Sequence, residues 1–190
     1  MKNSSLKFVL TLVVILTART IFAAENDWLS SFAHQSWQDR DGLPQNTVQA
    51  IVQTKDGYLW LGTEDGLARF DGVKFTVFNR NNTPEIKNNY ITALFESTDG
   101  ALWIGTRGGG AVLLKDRKFK VFSQKDGLAQ DTVRAIGEDS QGSLWIGTSE
   151  GLSRFKDGRF TTFNEEAGLK SDNIRALYGD ANGDLWIGST

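Results

Sequence analysis

His34 is the only histidine in the chain, and there is no cysteine. Ser-His-Asp chemistry would therefore have to use His34 as its general base. Three residues later comes Trp37, and the later repeats place Phe75, Phe119 and Phe160 where His34 stands. That position belongs to an outer strand, and packing is the simpler role for it. The neighbouring carboxylates Glu64-Asp65 and Glu165-Glu166 could suggest acid/base work. A glycosidase needs two carboxylates facing each other across the scissile bond, whereas sequence neighbours in a polar loop are usually solvated charges. Asp180, Asn182 and Asp184 alternate oxygen ligands but miss the full calcium-loop pattern. Arg107-Gly108-Gly109-Gly110 lacks the lysine-serine ending and the following helix of a phosphate loop. No catalytic residue, metal site or cofactor is expected.

A better place for function is a set of loop residues that vary while their surroundings repeat. Asn46, Glu64, Asp65, Asn89, Arg107, Asp131, Glu150 and Asn173 are the candidate ligand contacts, with Gln45, Lys87, Gln130 and Lys170 beside them. They fall in the loops that lead into the first strand of each repeat, or between its second and third strands. In a propeller those loops share one face, and variable loops on a constant scaffold are where binding residues concentrate. Their mixed polarity names no ligand.

The constant scaffold is a repeat. DGYLWLGT, DGALWIGT, QGSLWIGT and NGDLWIGS carry Trp60, Trp103, Trp145 and Trp186. Ala50, Ala93, Ala135 and Ala176 precede these tryptophans at a fixed distance, so length variation is confined to the later part of each unit. A period in this range marks a solenoid or a propeller. Each unit reads as short strands (TVQAIVQ, YLWLGT, LARF and KFTVF in the first) separated by turns such as Asp56-Gly57 and Asn182-Gly183, which tolerate positive φ. The expected fold is all-β, a β-propeller of four-stranded antiparallel blades. The repeated tryptophans are expected in its core, and Gly62, Gly105, Gly147 and Gly188 at close backbone approaches or bends. Unit two departs, with TRGGGAVLLK in place of TEDGLARF; the extra residue could shift its third strand.

The units run over about 41–83, 84–125, 126–167 and 168–190. Residues 31–38 resemble an orphan outer strand, with Trp37 at the second Phe position. The last unit stops after its second strand, so an incomplete propeller is expected, an open arc of about three and a half blades. Such an arc would be a fragment of a longer product or a truncated copy.

Lys2 and Lys7, the apolar run Phe8–Ala18 and Phe22-Ala23-Ala24 have the layout of a signal peptide over 1–24, leaving 25–190 as the exported chain. The leader carries three bases and no acid, so the remainder is more acidic than the −2 of the whole. Without a basic stripe, nucleic acid is not an expected partner.

The combined motif V-x-A-I-x-x-x-x-DG-x-LW-[IL]-GT-x-x-GL-x-R-F resembles the two-component regulator propeller repeats, over roughly residues 28–190. The resemblance implies the periplasmic ligand-sensing region of a bacterial hybrid sensor kinase or membrane diguanylate cyclase. It implies a small-molecule ligand, such as a saccharide, and a homodimeric parent whose membrane span and output domain lie in C-terminal parts that this sequence lacks. The chain would be non-catalytic by itself. The alternatives are a fragment of an exported propeller enzyme (a lyase or glycosidase) or a protein-interaction scaffold.

Overall fold

The computed structural model describes residues 35–190; the proposed signal peptide, His34 and the first half of the proposed orphan strand lie outside the described residues. The chain divides into two units, residues 1–36 and 37–190. All the described secondary structure is in the second.

Three four-stranded antiparallel sheets and one two-stranded sheet follow one another in sequence order. Blade one holds β1 (Val48–Gln53), β2 (Leu59–Thr63), β3 (Gly66–Phe70) and β4 (Phe75–Phe78). Blade two holds β5 (Ile91–Glu96), β6 (Leu102–Thr106), β7 (Ala111–Lys115) and β8 (Lys118–Phe122). Blade three holds β9 (Val133–Glu138), β10 (Leu144–Thr148), β11 (Gly151–Lys156) and β12 (Arg159–Phe163). The half-blade is β13 (Ile174–Gly179) with β14 (Leu185–Ser189). The inner strands β1, β5, β9 and β13 lie side by side in that order. This is the incomplete propeller of three and a half blades that the repeats predict.

The turn between the first and second strands of each unit is built from one of two solutions. In blades one and two a hydroxyl does the work, with Thr54 and Ser97 each donating to the Asp two residues on, at 2.6 Å. In blade three and the half-blade, Asp139 and Asp180 take that first position themselves. Each accepts the amides two and four residues on and, through its other oxygen, the indole N–H of Trp145 or Trp186. The sequence swaps Thr/Ser…Asp for Asp…Gln/Asn, and the turn keeps its acceptor either way.

The blades interlock through glycine. A Cβ on Gly62, Gly105 or Gly147 would lie 2.5–2.6 Å from the β-branched side chain of Ile91, Val133 or Ile174 in the next blade. Those three side chains are fully buried. The repeated glycine is thus a socket for the first residue of the neighbouring inner strand.

Trp60 and Trp103 are 5% and 3% exposed and stack on Phe78 and Phe122 of their own outer strands. Trp145 packs on Phe163 at a tilt of 37° and is only half-buried. Trp186 departs from the expected core role, being 62% exposed. The physical reason is that its two-stranded sheet offers no outer-strand Phe to stack on.

Gln35–Gln38 form no strand. The Trp37 ring nevertheless packs 4.9 Å from Phe70 and 6.4 Å from Phe75. Phe122 meets Phe155 and Phe160 of blade three in the same way, at 5.3 and 5.5 Å. Each aromatic then leads into a 3-10 turn ended by a glycine at positive φ, Gly42 at 101° and Gly127 at 99°. Trp37 therefore takes the place of an outer-strand Phe against blade one.

The extra residue of blade two does not shift its third strand. Leu102 pairs with Leu114 just as Leu144 pairs with Phe155. The surplus is absorbed in the turn, where Thr106 Oγ1 donates to the Gly110 carbonyl and accepts from the Gly109 amide.

Candidate ligand site at the bulged inner strands

Every inner strand carries a β-bulge near its start. The ladder pairs Val48 with Thr63 and Ala50 with Gly62, leaving Gln49 without a cross-strand partner. Thr92, Arg134 and Arg175 are skipped in the same way. A bulge residue is released from the pleat and its side chain re-aimed. All four bulge residues line one cavity of about 410 Å³. Tyr90, Thr132 and Arg107 complete its polar lining.

Arg107 reaches this cavity because of the glycine-rich turn. Gly108 and Gly110 have φ of 86° and 81°. Their amides donate to the Asp131 carbonyl of the next blade at 3.1 and 2.9 Å. The segment that superficially suggests a phosphate loop is thus a turn leaning on blade three. It carries the Arg107 guanidinium to 5.2 Å over the Tyr90 ring, a cation–π distance.

The electrostatics of the cavity are unbalanced. Burial, followed by the charges of Arg175 and Arg107, holds the Arg134 guanidinium below its usual pKa. Its Nε is buried without an acceptor. On the other side, Glu64 Oε1 accepts from Gln49 Nε2 and from the Tyr90 hydroxyl, both at 3.1 Å. That carboxylate, together with burial, raises the Tyr90 pKa.

The loop residues singled out from the sequence separate into two groups. Glu64, Asp65, Asn89 and Arg107 come together around Tyr90, with Asn89 Nδ2 donating to Asp65 Oδ1 at 2.9 Å. The others are tied into the loops. Asn46 and Asp131 share one repeat position with Asn89 and Asp172, and all four accept a backbone amide from the preceding turn or linker, at 2.7–3.0 Å. Asn173 donates to Thr190 Oγ1 at 2.8 Å. Exposed Glu150 has its own amide bonded to Thr148 Oγ1. The sequence reading missed the four bulge residues and Tyr90. The position before each repeated alanine was their only signal.

A second concavity, a cleft of about 580 Å³, opens between blades one and two. Its counterpart between blades two and three measures about 290 Å³. Leu114 lines the larger cleft and Phe155 the smaller one, so the smaller side chain at that repeat position leaves more space.

The chain matches the family profile described as "Two component regulator propeller" at residues 42–65, 85–108, 127–150 and 168–190. It is 46% identical over 52 residues to Histidine kinase P4 from Formosa agariphila, covering 27% of this chain and 4% of that protein. Among solved structures it resembles the extracellular domain of a hybrid two component system from B. thetaiotaomicron, at 26% identity and a TM-score of 0.74. That likeness covers 83% of this chain and 22% of the other. A virginiamycin B lyase from Staphylococcus aureus shares the fold, at 17% identity and a TM-score of 0.60, over 78% of this chain and 50% of the lyase. The chain thus spans less than a quarter of the sensor proteins it resembles.

Proposed function

Given that this chain belongs to the two component regulator propeller family, we propose that it is the ligand-sensing part of an exported bacterial signal-transduction sensor, with no catalysis of its own. The observation that carries this reading is the likeness to a sensor's extracellular domain over most of the chain. The bulged row supports it physically. One side chain per blade is aimed at a shared cavity, and its identity changes from Gln49 to Thr92 to Arg134 while the packing around it repeats. In the parent protein, a small molecule held there, a saccharide on this reading, biases blade geometry or dimerisation and so controls a cytoplasmic output. Signalling of this kind requires that the ligand favour one state over the other.

The test is a thermal-shift and turnover screen of the exported chain against oligosaccharides. A saturable rise in Tm without product formation supports a sensor. Hydrolysis or elimination of the sugar would sink the non-catalytic reading, and the absence of any saturable shift across the screen would sink ligand sensing by this segment.

A further inference from the structure

Three arginines are gathered at the bulged strand ends and the neighbouring turn without an anionic partner. Arg107, Arg134 and Arg175 line the same cavity. Among the described residues none of them forms an ion pair; Lys115 with Asp99 is the one pair there. Neither Arg134 nor Arg175 donates a side-chain hydrogen bond to a described residue, and the buried Arg134 Nε has no acceptor at all. Glu64, whose Oε1 accepts from Gln49 and Tyr90, forms no ion pair with any of them.

Like charges held together are unfavourable, and the interaction strengthens where water is excluded, here around the half-buried Arg134. A buried donor without an acceptor adds a further penalty. Both costs vanish when an anion enters. The guanidinium fork suits an oxygen pair better than an ammonium would, since it donates two parallel N–H bonds.

We propose that the bulged row binds the oxyanion group of a small ligand, a carboxylate or a sulfate, between Arg134 and Arg175. Arg107 closes on it from the turn of blade two, and Tyr90, Gln49 and Thr92 meet the neutral part of the same molecule. This rests on the sensor reading and narrows its ligand class to acidic compounds.

The experiment titrates the full chain with glucuronate, glucose 6-sulfate and glucose by calorimetry, as wild type and as Arg134→Gln and Arg175→Gln. At least one charged sugar binds saturably, and about tenfold or more tighter than glucose. Each variant loses about tenfold or more of that affinity, the scale of one charged hydrogen bond. Which charged sugar binds better identifies the oxyanion. Without ligand and at low salt, Arg134→Gln melts at or above the wild-type Tm, because a like charge has gone; a merely structural arginine would lower it. The proposal is overturned if glucose binds as well as the charged sugars, if both variants keep wild-type affinity, or if no charged sugar binds. Binding of glucose alone overturns the oxyanion site and leaves the sensor reading standing.

Discussion

A methyl group of Ile174 fills the space in which a side chain on Gly147 would begin: Ile174 Cγ2 would lie 2.5 Å from a Cβ built on that glycine. Gly147→Ala therefore forces blade three and the half-blade apart. Overpacking of this kind costs about 1–3 kcal/mol, to be read as a lower urea midpoint. Gly188→Ala is the control, since its Cβ would meet only Ala176, at 3.3 Å or beyond. It should change the midpoint little.

The tryptophans are alike in sequence and unequal in burial. Trp103→Ala removes a side chain that is 3% exposed and packed against Phe122 and Phe155. The expected loss is about 3–5 kcal/mol. Trp186→Ala, at a site 62% exposed, should cost well under half of that. Equal losses in denaturant titrations would contradict the difference in packing.

Neighbouring blades are also tied through carboxylates. The Lys55 amide donates to both oxygens of Glu96, at 3.0 and 3.1 Å. The Thr98 amide and hydroxyl donate to Glu138, at 2.7 and 2.8 Å. Glu138→Ala leaves the Thr98 donors without their acceptor. Hydrogen bonds to charged groups contribute about 1.5–3 kcal/mol each, and solvent access at Thr98 places the expected loss near the lower figure. Hydrogen exchange should report it as faster exchange of the Thr98 amide.

Acid should weaken the fold in a defined window. The Lys115 ammonium, then the Ser97 hydroxyl, hold the Asp99 carboxyl down at about 2, from an ordinary value of 3.8. A carboxylate with a lowered folded-state pKa stabilises the protein above its unfolded pKa, and that contribution is lost as pH falls toward the folded value. Asp139 shifts the same way. Burial alone would raise it, but the Trp145 indole and the Ser143 and Gln141 amides outweigh that. Wild-type stability should therefore fall between about pH 4 and pH 2. In Asp99→Asn the fall should be shallower over that window, and parallel curves would show that Asp99 carries none of it.

The blades were legible in the sequence because each signal occurs several times. Asp-Gly turns, the repeated tryptophan and the spacing to the alanine set β1 to β14 almost residue for residue. The sockets were legible too, since a glycine inside an otherwise apolar strand has few other uses. The site was less so. A bulge leaves no mark in V-x-A, which looks like ordinary strand alternation, so Gln49, Thr92, Arg134 and Arg175 passed as unremarkable strand residues. Asn46 and Asp131 looked available to a ligand because their hydrogen bonds run to amides seven residues upstream, beyond local turn patterns. Asn173 was chosen where its neighbour Asp172 holds the equivalent place.

The bulges separate two demands that most strand positions must meet together. Gln49, Thr92, Arg134 and Arg175 stand outside the ladder, while the alanine after each of them is paired to a glycine and, in the last three, the residue before it carries the interlock. Substitution at a bulge therefore changes what the cavity meets without disturbing how the strands are joined. New specificities are accessible by single steps there, one blade at a time, and each step is nearly silent to folding. A lineage of such proteins can diversify its chemistry while inheriting its architecture intact.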